Sequence, residues 1–146
     1  MAKLVAAPPN NPLTPMKIRP LLACVAVLGA LPVLAVAPKT LYVAKTGNDS
    51  SATPTDPGTP LLTIGEALNQ TAPNDEIRIG AGTYLEPGLE ITTSVGLMGE
   101  GPDQTIIQAA ATSGSASDRV FSITAGNQVS FDGLTIENGV APAGGT

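Results

Sequence analysis

Apolar residues in this chain come in short runs with alternate positions hydrophobic, the spacing of strands buried on one face. Leu41-Tyr42-Val43-Ala44 is the first such run and Glu76-Ile77-Arg78-Ile79 the next. Six more follow: Leu89 to Thr92, Val95 to Met98, Thr105 to Gln108, Val120 to Thr124, Val129 to Phe131 and Leu134 to Glu137. Each is about three to five residues long and is bounded by Gly, Pro, Asn or Asp, which end strands. Between the first two runs, Gly47, Asn48, Pro54, Pro57, Gly58 and Pro60 predict an irregular loop over 45–60. A single helix follows it. Thr63-Ile64-Gly65-Glu66 has the form of a capping box, and Ile64, Ala67 and Leu68 make a narrow apolar stripe that fades by Pro73. Asn74-Asp75 and Gly80-Ala81-Gly82-Thr83-Tyr84 are predicted to be turns on either side of the second strand.

Part of this pattern occurs twice. Leu89-Glu90-Ile91-Thr92 with Val95-Gly96-Leu97-Met98-Gly99 returns as Phe121-Ser122-Ile123-Thr124 with Val129-Ser130-Phe131-Asp132-Gly133, at offsets of 32 (89 to 121) and 34 (95 to 129). Repetition of short strands and Gly-bearing turns predicts a stacked solenoid in which inward residues lie on their equivalents one turn away. Leu89 with Ile91, Phe121 with Ile123, and Leu134 with Ile136 are the expected inward pairs. The helix is expected to cover the open end of the first coil, where unpaired backbone would invite association. A compact β-sandwich is the alternative, although strands this short suit it poorly.

The first part of the chain follows a different rule. Lys17 and Arg19 precede an apolar run from Leu21 to Ala37, softened by Gly29 and Pro32 and ending in small residues, the order of a secretory signal. About 17 residues interrupted by Pro and Gly are marginal for a membrane span, which needs about 20. Cleavage after Ala35 is favoured over Ala37, since the latter would put Pro38 just beyond the scissile bond. Pro- and Asn-rich residues 1–15 sit awkwardly before such a signal, so Met16 is a candidate start. Leu21-Leu22-Ala23-Cys24 has lipobox form, but its apolar run follows the cysteine, the wrong order for lipidation. The expected organisation is an extension at 1–15, a signal peptide at 16–37, and a folded segment at 38–146 whose pattern stops mid-repeat at Gly144-Gly145-Thr146. Secretion or display on the cell surface follows, with no membrane span once the signal is removed.

Composition narrows the chemistry. Aromatic residues are 3% and charged residues 13%, so the core must come from Val, Ile, Leu and Ala. Histidine is absent and Cys24 is the sole cysteine, which removes His-based triads, His metal sites and disulfides. After Ala35 only Lys39, Lys45, Arg78 and Arg119 are basic, against all twelve acids, a net charge of −8. Nucleic acid is therefore an unsuitable partner.

Several residues invite a functional reading, and each has a plainer one. Asp118-Arg119 could touch substrate, but exposed loop ion pairs are common and do little. Asn48, Asp49 and Asp56 could bind calcium, but Asx turns account for them better. Asp132 and Glu137 flank the last strand, where outward polar residues are required in any case. Asn138 is expected to close a turn in the left-handed conformation rather than to bind sugar. Gly99-Glu100-Gly101 lacks the Lys and following helix of a phosphate loop, so it is predicted to be a tight turn. Asn48-Asp49-Ser50 and Asn69-Gln70-Thr71 are glycosylation sequons that matter only in a glycosylating host. No catalytic, cofactor-binding or metal-ligating residue is assigned.

Taken together, Leu41-Tyr42-Val43, Gly47-Asn48-Asp49-Ser50, Pro60 to Leu68, Asn74-Asp75-Glu76-Ile77 and Gly82-Thr83-Tyr84 resemble the N-terminal module of secreted β-helix proteins of the pectin-lyase-like superfamily. Val129 to Gly139, with Gly133-Leu134-Thr135-Ile136-Glu137-Asn138-Gly139, is similar to the repeats of β-helical surface proteins and polymorphic outer-membrane proteins. The resemblance implies an all-β fold, a right-handed single-stranded parallel β-helix with a short N-terminal capping α-helix, incomplete at its C-terminus. It implies one of two functions. One is a non-catalytic adhesion or glycan-interacting surface module, which the Gly-Leu-Thr-Ile style favours, with extracellular polysaccharide or surface proteins as partners. The other is the start of a polysaccharide lyase or glycoside hydrolase whose active coils lie beyond Thr146; calcium would be a cofactor only of such a longer protein. A lyase needs a base beside a carboxylate-neutralising group, and a hydrolase needs clustered carboxylates. Residues 38–146 show neither, so the segment itself is expected to be inactive.

Overall fold

The structure is a computed structural model that describes residues 36–141. The chain separates into two units, Met1–Val33 and Leu34–Thr146, and the described residues belong to the second. The extension at 1–15, nearly all of the predicted signal at 16–37, Cys24 and the closing Gly144-Gly145-Thr146 lie outside them.

The described residues form nine strands and one short helix. The strands are β1 (Thr40–Val43), β2 (Asp75–Ile79), β3 (Gly82–Leu85), β4 (Leu89–Ile91), β5 (Val95–Gly99), β6 (Thr105–Gln108), β7 (Phe121–Ile123), β8 (Val129–Asp132) and β9 (Thr135–Glu137), with α1 (Ile64–Asn69) between the first two. They make three sheets, in the orders β1-β2-β5-β8, β3-β6-β9 and β4-β7. Every strand pairing among the described residues is parallel. From β2 onward the chain visits the first, second and third sheet in turn and then repeats that circuit. The duplicated sequence pattern is the pairing itself: Leu89 lies opposite Phe121, and Val95 opposite Val129.

The repeat is not uniform. Asp75 pairs with Val95, one return of the chain to the first sheet, and Val95 pairs with Val129 after a second and much longer one. Corresponding strands in the two circuits have nearly equal lengths. The extra residues therefore sit in the connections, chiefly between Gln108 and Phe121, where an excursion over the surface costs little.

Parallel register stacks like on like. Leu41, Ile77 and Leu97 form one inward ladder, and Tyr84 with Ile107 another, all fully buried. Each buried aliphatic side chain contributes about 1.5–3 kcal/mol. The ladders end in the last circuit. Phe131 stands on Leu97 but is 36% exposed, Ile136 on Ile107 at 43%, and Ile123 on Ile91 at 47%. The Phe121 and Phe131 rings meet there, centroids 5.0 Å apart. Thus the predicted inward pair Leu89 and Ile91 is buried, while its second-circuit equivalents are only partly covered.

The opposite end is sealed. Ile64, Ala67 and Leu68 are buried where α1 packs on β1 and β4, the edge strands of the first and third sheets. The free edge of β1 is occupied by the following loop: Tyr42 donates its N–H to the Pro54 carbonyl (2.8 Å), Ala44 to Leu61 (2.9 Å), and Leu61 back to Tyr42 (2.8 Å).

Two local expectations need correction. Gly80 to Tyr84 is not all turn, because strand β3 begins at Gly82. Tyr84 is inward, fully buried beside Ile107, and its hydroxyl donates to the Gly80 carbonyl (3.0 Å). Burial of that ring outweighs the turn preference of the glycines. Asp75 likewise belongs to β2 and is buried, its carboxylate accepting from the N–H groups of Lys39 (2.8 Å) and Ala72 (2.7 Å). Among the described residues no helix is long and apolar enough to cross a membrane.

Candidate functional site

Alternation along the strands of the first sheet leaves every second residue facing away from the core. Register then aligns these outward residues across strands. One row is Tyr42, Arg78, Met98 and Asp132 on β1, β2, β5 and β8; the adjacent row is Thr40, Glu76, Gly96 and Ser130. A cleft of about 410 Å³ lies over the first three residues of the first row and does not reach Asp132. Tyr42, Arg78 and Met98 line it from the sheet, Glu100 from the turn after β5, and Pro57 and Pro60 from the loop after β1.

The loop that forms one wall is held by its own backbone and side chains. Thr59 donates to the Asp56 carbonyl (3.1 Å), Asp56 to Thr53 (2.7 Å) and Gly58 to the Asp56 carboxylate (2.8 Å). Three prolines, Pro54, Pro57 and Pro60, stiffen it further, since each fixes one backbone angle. On the sheet, Arg78 pairs with Glu76, Nε donating to Oε1 at 2.7 Å. That hydrogen bond, together with the charge of Glu76, raises the Arg78 pKa above its ordinary value. The cleft therefore offers one ring, one thioether, two prolines, a guanidinium and a carboxylate. Such a set can contact an apolar face and exchange hydrogen bonds in both directions.

The residues singled out by sequence are not brought together. Asn48 and Asp56 do make Asx turns, accepting from the N–H groups of Ser50 (2.9 Å) and Gly58 (2.8 Å). Asp49 does something else. Its carboxylate accepts from the N–H groups of Leu62 (2.7 Å) and Thr63 (3.1 Å) and from the Thr63 hydroxyl (2.8 Å), just ahead of α1. The Thr63 oxygen accepts from Glu66 N–H (3.2 Å), as a capping box requires. Its reciprocal half is missing, because Asp49 already holds Thr63 N–H and the Glu66 carboxylate takes the Gln70 amide (2.7 Å). Glu86 completes the arrangement by accepting from the N–H groups of Ile64 (3.1 Å) and Gly65 (2.9 Å).

Asp118 and Arg119 form a loose exposed pair at 3.9 Å. Asp132 and Glu137 are exposed on different sheets. Asn138 adopts φ 54° and donates its amide to Gln108 (3.3 Å). Gly99-Glu100-Gly101 makes the turn into β6, with Glu100 N–H donating to the Thr105 hydroxyl (3.1 Å). Both sequon asparagines, Asn48 and Asn69, are exposed. Among the described residues no three His, Cys, Asp or Glu side chains converge in a way that could hold a metal ion. The sequence does not single out Tyr42, Arg78 and Met98 as a group. They lie far apart along the chain, and only the pairing register joins them.

No protein-family model matches the chain, and comparison with curated proteins and with solved structures also finds no match.

Proposed function

We propose that residues 38–146 are the N-terminal cap and opening coils of a right-handed parallel β-helix, exported by the leader before them and serving as a non-catalytic surface module that contacts glycans. The observation that carries this reading is the register. Equivalent strands of successive circuits pair in parallel in all three sheets, and a parallel crossover is right-handed in nearly all folds. Ladder ends at Phe131, Ile136 and Ile123, exposed while the other end is sealed by α1, suit a further coil stacked on the last circuit. The resemblance to secreted β-helix proteins of the pectin-lyase-like superfamily supplies the extracellular setting.

The cleft over the first sheet suits contact better than turnover. A lyase would need a free base beside a group that neutralises a uronate carboxylate, whereas Arg78, the one basic residue lining the cleft among the described residues, is held protonated by its pairing with Glu76. Retention of the purified chain on immobilised polysaccharides, assayed beside release of unsaturated or reducing products, tests the proposal. Retention without product is expected. Product formation, or no retention on any glycan, would contradict it.

A further inference from the structure

We propose that the cleft above Tyr42, Arg78 and Met98 binds a neutral saccharide rather than an acidic one. This rests on the reading of the chain as a glycan-contacting module and goes on to name the ligand class and the residues that select it. The cleft volume of about 410 Å³ falls within the range of small-molecule sites. Tyr42, Arg78 and Met98 stand on three neighbouring strands in one register row, so they follow each other at the strand spacing of about 4.8 Å. Tyr42 and Met98 put apolar surface on either side of the guanidinium, and Pro57 and Pro60 add a wall that loses little freedom on binding. The C–H face of a pyranose needs such a floor, and its hydroxyls need both donors and acceptors at the rim. Arg78 supplies donors and Glu100 acceptors.

Charge decides between ligand classes. The positive charge of Arg78 is balanced by Glu76 at 2.7 Å, and Glu100 adds a further negative charge to the lining. The four basic and twelve acidic residues after Ala35 make the surroundings acidic as well. A polyanion would meet repulsion here, whereas an uncharged sugar loses nothing. A divalent cation is poorly served too, since no third His, Cys, Asp or Glu side chain converges on these carboxylates among the described residues.

The test is calorimetric titration of the full chain with neutral cello-, xylo- and malto-oligosaccharides, with oligogalacturonate as the acidic comparator at low and high salt. One neutral series is expected to bind with little salt dependence. Tyr42→Ala and Arg78→Gln should each weaken that binding about tenfold or more. Arg78 is exposed, so Arg78→Gln should keep the wild-type melting temperature and separate loss of binding from loss of fold. Tighter binding of oligogalacturonate, or no neutral binding at all, would overturn the proposal. Neutral binding unchanged in both variants would overturn the cleft while leaving the surface-module reading intact. Failure of the wild-type chain to be retained on any polysaccharide would remove both.

Discussion

Gly99, the last residue of β5, and Gly133, the residue after β8, lie so close that neither has room for a side chain. A Cβ on Gly133 would sit 2.6 Å from the Gly99 carbonyl oxygen, and one on Gly99 would overlap the Gly133 carbonyl oxygen. Gly133 also has φ +60°, which glycine adopts without strain. These are the equivalent glycines of the duplicated pattern, so repetition here reflects a backbone contact between circuits.

Substitution at this contact should be costly for a stated reason. Gly99→Ala and Gly133→Ala are expected to lower stability by about 2 kcal/mol or more, because backbone must move. Gly126, at φ +89° with nothing within 4 Å of an added Cβ, is the control. Gly126→Ala should cost only about 1–2 kcal/mol from conformation alone. Thermal melts of the three variants rank them.

Asp75 ties the start of β1 to the turn before β2. Asp75→Ala leaves the N–H groups of Lys39 and Ala72 without their acceptor, at an expected cost of about 2–3 kcal/mol. Lys39→Met removes a 3.9 Å contact with the carboxylate and an exposed hydrogen bond from the ammonium to the Gln70 carbonyl (3.0 Å), and should cost only about 1 kcal/mol. Urea unfolding of the two variants distinguishes the carboxylate's hydrogen bonds from its charge pair.

The beginning of α1 depends on two distant carboxylates. Asp49→Ala is expected to cost about 1–2 kcal/mol, and Glu86→Ala about 1 kcal/mol. Amide exchange should quicken at Leu62 and Thr63 in the first variant and at Ile64 and Gly65 in the second.

Tyr84 links stability to alkaline pH. Burial, followed by the charges of Glu86 and Glu100, pushes its phenol from 10.0 up to about 12. The folded state therefore holds its proton where the unfolded state has lost it. The contribution is complete below pH 10 and is lost as pH rises from 10 through about 12. Tyr84→Phe should abolish that fall, at a cost of about 1 kcal/mol at neutral pH for the hydrogen bond to Gly80. Melting temperatures from pH 8 to 12 measure both.

The exposed ladder ends should make the chain associate. Ile123→Lys combined with Ile136→Lys places charge on that face and is expected to reduce association in light scattering. Stability should change by less than about 1 kcal/mol, because neither side chain is fully buried.

Local signals in the sequence account for much of the secondary structure. Alternation locates eight of the nine strands, Thr63 marks the helix start, and Asn138 reads as left-handed. Strand β3 is hidden because Gly80 and Gly82 carry a turn signal, whereas the partner that makes a strand of it, β6, begins only at Thr105. The first circuit escapes notice as a repeat for a related reason: its connections are shorter, so the step from Asp75 to Val95 does not match the step from Val95 to Val129. The roles of Asp49 and Glu86 are illegible, since a carboxylate that caps a helix from a neighbouring segment leaves no local spacing. The cleft is illegible too. Outward residues on strands follow no hydrophobic rule, and Tyr42, Arg78 and Met98 become neighbours only through register.

The stacking of one circuit on the next can be tested by cross-linking. Met98 and Asp132 are outward partners across β5 and β8, and parallel neighbours stand about 4.8 Å apart, within disulfide range. In a Cys24→Ser background, Met98→Cys with Asp132→Cys should oxidise rapidly to an intramolecular disulfide, seen as a linked peptide by mass spectrometry. Met98→Cys with Phe131→Cys, shifted by one position and facing the other side, should not. A linked peptide in the first variant alone is the predicted result. Failure of that pair to link, or preferential linkage of the shifted pair, would contradict the parallel stack on which the account rests.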